Sequence, residues 1–376
     1  MNQHADVIIV GGGVIGCAIA YFLRKAHIEV LVIERDAIGS HASGAAAGLL
    51  APLGPLSGPG PFADLLLAGF HLLPTLLAEL EEVSGIAVHF SRPGALRVVR
   101  HPRRIAHLQK RFRQWQPLGL PVFWLTGEQA REREPHLAPD ICAAVYVPDE
   151  AQLSAPHLVQ AFAQAARRLG AHFVLHEEVI EFLTNKTTII GVRTRAGETY
   201  RSQQVILAAG AWSATWTPQP GIPLPLSPLA GQLVTIPALA PPLHHLIFGE
   251  AIYLAPRPHT ILVGATREER GFEAQVTAEG VSWLQTAAAR LVPALANCQV
   301  QRAWAGLRPR TLDARPILDW LPGWENGVLA TGHNSVGLIL SGITGQGVAQ
   351  MLTTGQIPER FHPFTLQRFA QGGKQP

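Results

Sequence analysis

The chain has 376 residues, more than one ordinary domain needs and enough for two. Hydrophobic residues make up 47% and charged residues 15%, which supports a large core and excludes extended disorder. Net charge is +3, from 30 Lys and Arg against 27 Asp and Glu, too small a surplus to make nucleic acid the expected main partner.

Cys17, Cys142 and Cys298 form no CxxC pair and no zinc spacing. An odd, sparse count argues against a disulfide framework and for a reducing cytoplasm. The N-terminus shows no basic stretch followed by an apolar targeting core, because a strand and a glycine turn begin almost at once. The uncharged run from Ser202 to Gly249 contains Pro218, Pro220, Pro223, Pro225 and Pro228, and that from Ala42 to Ala63 is broken by Gly54, Pro55, Gly58, Pro59, Gly60 and Pro61. Neither reads as a membrane-spanning helix, and no transmembrane span is expected.

Asp6–Val10 reads as a strand buried on both faces, Val14–His27 as a helix with small inward residues, and Ile28–Ile33 as a second strand ending at Glu34. Asp36–Pro61 reads as a long connection with one helical turn around Ala45–Ala47, and Leu65–Val83 as an apolar-periodic helix. Val88–Phe90 and Ala95–Val99 look like strands meeting at Pro93-Gly94. His101–Gln116 is a basic helix, and Thr126-Gly127-Glu128-Gln129 has the capping-box spacing. Pro156–Leu169 is helical and His172–Val174 extended. Val179–Leu183 with Ile189–Thr194 suggests a hairpin, and Val205–Gly210 a third parallel-type strand. Ala251–Ala255 and Thr260–Val263 alternate like antiparallel strands before a helix over Thr277–Leu291. Gly327–Ala330 and Gly337–Leu352 close the chain as a strand and a helix.

The fold class is therefore α/β, a Rossmann-type domain interleaved with a mixed, largely antiparallel α+β substrate domain. The expected division gives 1–84, 150–215 and 304–376 to the nucleotide domain, and 85–149 and 216–303 to the substrate domain.

Gly11-x-Gly13-x-x-Gly16 follows a strand and opens a helix, the setting in which this fingerprint holds a pyrophosphate. Glu34 stands where a carboxylate accepts from ribose hydroxyls and would repel a 2′-phosphate. Gly345-Gln346-Gly347 lies inside an apparent helix and lacks a third glycine, so no second nucleotide site is present. A single site favours FAD, reduced by a bound organic substrate, over a protein that takes electrons from NAD(P)H.

Further segments carry a resemblance. Gly39–Pro52 (GSHASGAAAGLLAP) resembles the flavin loop of FAD-dependent amino-acid oxidases of the D-amino-acid oxidase superfamily, and Val205–Ser213 (VILAAGAWS) their returning FAD strand. Pro228–Gln232, Ile252–Arg257, Val263–Phe272 (VGATREERGF) and Trp304–Thr311 (WAGLRPRT) follow in the family's order. The pattern covers essentially the whole chain and is most similar to the bacterial glycine oxidases of thiamine biosynthesis.

This resemblance implies FAD held at Gly11, Gly13, Val14, Ile15 and Gly16, at Glu34 and Arg35, and along Ser43, Gly44, Ala47, Gly48, Leu49 and Leu50. It further implies Val179, Ala209, Gly210 and Trp212, and the segment His333, Asn334, Ser335, Val336, Gly337, Leu338 and Ile339 at the flavin edge. Arg308 is the implied substrate-carboxylate cation, since guanidinium matches a carboxylate with two parallel hydrogen bonds. Tyr253 places a hydroxyl near the substrate. Ser335 stands where glycine oxidases carry an arginine, which opens the site to larger or secondary amines. Arg310 is a guess at compensation, and His333 reads as a packing residue. Ala45 occupies the slot of a tethering histidine and no cysteine follows Cys298, so FAD is expected to be non-covalent.

No metal is expected: His244-His245 and His172/His176 lack partners at ligand spacing. Arg97, Arg100, Arg103, Arg104, Lys110, Arg111 and Arg113 read as a solvated helix face, with an RNA-binding patch as the competing reading. The expected activity is oxidation of glycine or a similar small amino acid to imine, then oxo-acid, ammonia and hydrogen peroxide, with oxygen as acceptor. In a thiamine pathway the glycine imine would pass to thiazole synthesis. Alternatives are an oxidase or dehydrogenase of D-amino acids or N-substituted glycines (sarcosine, iminodiacetate), and a non-catalytic flavoprotein subunit or assembly factor. Homo-oligomerisation is left open.

Overall fold

The computed structural model describes residues 4–216 and 224–370. Pro218, Pro220 and Pro223 lie outside the described residues.

Two eight-stranded sheets carry the architecture. In the first, His4–Val10 is central, parallel to Val30–Glu34 on one side and to Thr199–Leu207 on the other. Strands covered on both faces need no polar alternation, which explains these continuous apolar runs. His172–Leu175 and Gly327–Thr331 extend the parallel order, Ile317–Trp320 closes one edge antiparallel, and the hairpin of Val179–Asn185 and Thr188–Thr194 pairs with Thr199–Leu207. Helices Val14–Lys25, Pro61–Ser84, Ala155–Arg168 and Gly337–Thr354 pack on one another in the main core. Gly345 and Gly347 serve that packing, with Phe22 and Phe361 filling the space a Cβ would take.

The second sheet runs in the order Arg302–Thr311, Leu226–Pro237, Thr260–Gly264, Tyr253–Pro256, Leu246–Phe248, Ala95–Val99, Ala143–Val147 and Phe123–Thr126. Every pairing in it is antiparallel except that of Leu246–Phe248 with Ala95–Val99. Residues 304–311, expected in the nucleotide domain, thus sit on a strand of the second sheet.

Several local expectations change. Val88–Phe90 forms no strand: His89 has φ +53°, and Ala95–Val99 instead pairs with strands from 143–147 and 246–248. The helical turn lies at Ala42–Ala45, before the expected Ala45–Ala47. The helix expected at 65–83 begins with Pro61 at its first turn, where a missing N–H costs nothing, and carries Pro74 on its exposed face. The 12-residue strand Leu226–Pro237 was hidden by its prolines, yet Pro228 stands opposite Pro309 in register. Two residues without N–H fit an antiparallel ladder when they share a non-hydrogen-bonded position.

Pro61–Ser84 is, among the described residues, the one helix long and apolar enough to cross a membrane by length and composition. It buries Leu66, Phe70, Leu73, Leu77 and Leu80 in the core, and Glu79 on its other side pairs with Lys25. Cys17, Cys142 and Cys298 are all free thiols.

Candidate functional site

One cavity of about 760 Å³ runs from Glu34 to Arg308 and Tyr253, touching both sheets. Its first end is built by the opening βαβ unit. The chain leaves His4–Val10 through Gly11, at φ +112°, where a Cβ would lie 2.5 Å from the Ala208 carbonyl oxygen. Gly16 packs so tightly that its Cβ would sit 2.0 Å from the Gly11 oxygen. Helix Val14–Lys25 begins at the cavity with no side chain of its own cap residue, Gly13, to satisfy its first N–H groups. Only Val14 N–H is engaged from a loop, by the Ser43 hydroxyl at 2.9 Å.

Glu34 is buried and aimed by the backbone: Gly12 N–H donates to Oε2 at 2.6 Å and Asp36 N–H to Oε1 at 2.9 Å. Beside it, Arg35 lies 3.9 Å over the Trp212 ring and donates to Asp36, which also contacts His41 at 2.6 Å. The His41 hydrogen bond holds the Asp36 carboxyl below the usual carboxylate range. Glu34, Asp36 and His41 are close enough to hold a metal ion, but two backbone N–H groups already use both Glu34 oxygens, and Arg35 and His41 share Asp36 Oδ2.

The middle of the cavity is lined by the 42–49 loop. Gly44 N–H donates to Gly39 O at 2.8 Å, and Gly48, at φ +79°, approaches Leu153 so closely that a Cβ would stand 1.9 Å from its oxygen. Two side chains of the second sheet hold this loop: Trp304 Nε1 donates to Ala45 O at 3.0 Å, and Arg257 donates to Ala47 O. Neither stands out in the sequence as a site residue; Trp304 opens one segment of the resemblance and Arg257 closes another.

The substrate end is one face of the second sheet. Pairing register puts Arg308, Gly306 and Gly231, Leu233, Gly264, Tyr253, Phe248 and Arg97 in succession across that face. Two glycines make room there. A Cβ on Gly231 would lie 2.4 Å from the Arg308 guanidinium, and one on Gly264 would lie 2.4 Å from the Tyr253 hydroxyl. Arg308 Nη1 donates to two main-chain carbonyls only, Thr266 O at 3.3 Å and Ala230 O at 3.4 Å. Burial pulls the Arg308 pKa down, while burial pushes Tyr253 up to about 12 against the pull of Arg308, Arg257 and Arg267. Arg97 at the far edge is locked to the buried Glu150 (2.7 Å) and lies 4.3 Å from the Phe248 ring centroid.

The last wall is Gly332–Ile339. His333 is buried, bonded to the Thr344 hydroxyl at 3.1 Å, and pushed down to about 3 by burial, so it is neutral. Asn334 sits at φ +47° with a buried Oδ1 that has no protein partner. Ser335 lines the cavity at its exposed edge, and helix Gly337–Thr354 starts at the wall without a side-chain cap.

Most nominated residues line this one cavity: Gly11, Gly13, Val14, Ile15, Glu34, Arg35, Ser43, Ala47, Gly48, Leu49, Val179, Ala209, Gly210, Trp212, Tyr253, Arg308 and the whole segment His333–Ile339. Gly16, Gly44 and Leu50 stand behind the wall, as packing or turn positions. Arg310 does not compensate for Ser335, because it is held by Ser227 (3.2 Å) and Glu269 (2.9 Å). The basic stretch is largely spent inside the chain: Arg97 on Glu150, Arg100 on Asp140, Arg104 on Glu250 and Arg111 on Gly54 O.

A glycine turn, an uncapped helix start, an orphaned amide oxygen and an arginine held only by main-chain carbonyls, all on one cavity, fit a flavin dinucleotide beside an anionic substrate. They define a flavin-dependent oxidoreductase. The sequence profile of the family described as FAD dependent oxidoreductase matches residues 6–351, and the chain belongs to that family. It is 34% identical over 371 residues to a glycine oxidase of Geobacillus kaustophilus (strain HTA426), covering 98% of each chain. The crystal structure of glycine oxidase from Geobacillus kaustophilus superposes with a TM-score of 0.92 over 97% of this chain and 99% of that one. A bifunctional protein ThiO/ThiG of Synechocystis sp. is 31% identical over 98% of this chain and 55% of its own length. An iminodiacetate oxidase (IdaA) from Chelativorans sp. BNC1 superposes with a TM-score of 0.85 at 25% identity, covering 96% and 98%. The chain is an FAD-dependent amine oxidoreductase.

Proposed function

We propose that the enzyme oxidises glycine or a similar small amino acid, turning amine to imine, which water converts to oxo-acid and ammonia while oxygen becomes hydrogen peroxide. The observation that carries this reading is Arg308, laid over Gly231 in the cavity wall with only main-chain carbonyls as partners. Its remaining N–H groups are available to a carboxylate, which two parallel hydrogen bonds would orient.

When bound, the flavin accepts the hydride leaving the amine-bearing carbon. The N–H groups of Gly13 and Ile15 would face the pyrophosphate, with Gly11 and Val14 shaping the turn beside it, and Glu34 the ribose. Arg35, Val179, Ala209, Gly210 and Trp212 would border the nucleotide. The loop from Ser43 to Leu49 and the segment from His333 to Ile339 would border the ring system. FAD is non-covalent in this reading, with Ala45 in the tethering slot and no cysteine beyond Cys298.

Arg308 fixes the acid and so places the α-carbon; orientation of this kind supplies much of a catalytic rate. Tyr253 stays un-ionised and donates a hydrogen bond beside it. A neutral amine needs no side-chain base, and neutral His333, tied to Thr344, is left as support for the wall. Ser335 at the exposed edge favours a second reading, a secondary or larger amine such as an N-substituted glycine. Kinship with ThiO/ThiG proteins supports supply of an imine for thiamine thiazole synthesis. The free thiols support the cytoplasm as the compartment.

The test is anaerobic bleaching of the yellow holoenzyme with glycine, sarcosine, iminodiacetate and D-alanine in parallel. Arg308→Ala should lower kcat/KM about a thousandfold while keeping the visible flavin band, as loss of a charged double hydrogen bond requires. A yellow protein that no amine bleaches would revive the non-catalytic subunit.

A further inference from the structure

Arg308 has a neighbour that the reading above leaves idle. We propose that Arg267 makes this cavity a two-anion site, and that the preferred substrate is an amine carrying a second carboxylate. The inference rests on the proposed amino-acid oxidation and names its substrate class.

Arg267 lines the same cavity as Arg308 and Tyr253, and is exposed to it. The residue before it, Thr266, gives its carbonyl to Arg308 Nη1 at 3.3 Å, so the Arg308 guanidinium reaches across the strand Leu226–Pro237 to the main chain that carries Arg267. The segment then runs on to Phe272, whose ring centroid lies 5.7 Å from that of Trp212, another wall residue. Arg267 therefore puts a second guanidinium on the wall of the cavity that holds Arg308.

The neighbouring acids are turned away. Glu268 is fixed by main-chain bonds to Ala230 in both directions, and its side chain takes Thr266 (2.6 Å), Gln232 (2.7 Å) and Arg270 (2.7 Å). Glu269 takes Arg310 at 2.9 Å. In extended backbone successive side chains point to opposite sides, so anchoring Glu268 on Gln232 leaves Arg267 on the cavity side. Among the described residues Arg267 makes no hydrogen bond, ion pair or ring contact. After burial, and against an opposite pull from Tyr253, its charge also lowers the Arg308 pKa, as two like charges near one site must. A second carboxylate would relieve that repulsion and meet the unpaired guanidinium.

The probes are unreactive anions as well as substrates. The holoenzyme and its Arg267→Met, Arg267→Lys and Arg267→Glu variants are titrated with acetate, malonate, succinate and glutarate, following the flavin spectrum or the heat of binding. Wild type should bind its best dicarboxylate at least about tenfold more tightly than acetate, the order of one charge-assisted contact. That ratio should fall to about one in Arg267→Met, persist in part in Arg267→Lys, and invert in Arg267→Glu. The same ratios should appear in the KM values of D-aspartate, D-glutamate and iminodiacetate against glycine and sarcosine, and should shrink as salt rises.

Equal binding of mono- and dicarboxylates by wild type, or an advantage that survives Arg267→Met, overturns the inference and leaves amino-acid oxidation standing. If no amine bleaches the flavin, the oxidation reading falls instead, and the anion titrations still decide whether Arg267 binds a second carboxylate.

Discussion

The two ends of the cavity are made in different ways. At the end proposed for the nucleotide, the strand, turn, helix and Glu34 come from one stretch of 34 residues, and glycine main chain shapes the wall. At the end proposed for the substrate, Arg308, Gly231, Gly264 and Tyr253 come from four strands brought together only by sheet pairing, and two side chains lie over two glycines. A main-chain cradle tolerates few changes but binds one fixed cofactor. A sheet face of separate side chains, with the walls that border it, can change its specificity one residue at a time.

If that contrast is right, the substrate end should be breakable without touching the fold. Gly231→Ala is the sharpest such change, because the three atoms nearest the added Cβ all belong to the far end of the Arg308 side chain, the first 2.4 Å away. The guanidinium can swing aside, so the melting temperature and flavin content should hold. The displaced cation should cost kcat/KM about a hundredfold, the order of a 1 Å misplacement. Steady-state kinetics beside a melting curve decide it. Loss of the fold along with activity would show that Arg308 and Gly231 are a structural pair.

The same contrast explains which parts of the site are legible in the sequence. The nucleotide end was legible because its signals are local: a β-branched run, three spaced glycines and a terminal acid within one βαβ unit. Arg308 and Tyr253 were reachable only through resemblance, since nothing in WAGLRPRT or IYLAPR by itself says which neighbour each residue faces. Leu226–Pro237 was missed because proline was read as a breaker, and its pairing of Pro228 with Pro309 is a long-range fact. The glycines in PLAGQ and VGAT carried a signal: a glycine inside a strand marks close approach by something large. Arg257 gave no such sign, because its task is to hold a main-chain carbonyl 210 residues away.

Arg257 is where the two ends meet, and a smaller effect tests that junction. Its bond to Ala47 O ties the flavin loop to the second sheet. Arg257→Ala should loosen FAD about tenfold, the order of one hydrogen bond with a charged donor, without changing which amine is preferred. Equilibrium dialysis of FAD and a substrate-ratio assay would show it. A changed preference with unchanged FAD affinity would move Arg257 to the substrate end.

Tyr253 should give the smallest change, and the most telling one in its pH dependence. Burial raises its pKa to about 12, so the hydroxyl keeps its proton throughout the working range below pH 10. A limb of kcat/KM rising with pH must then come from the substrate amine losing its proton, since only the neutral amine can be oxidised without a base. Tyr253→Phe should lower kcat/KM about fivefold, the worth of one neutral hydrogen bond, and leave that limb at the same pH. Were the limb to shift or vanish in the phenylalanine variant, the phenol would be the titrating group. The sheet face would then supply proton transfer as well as position.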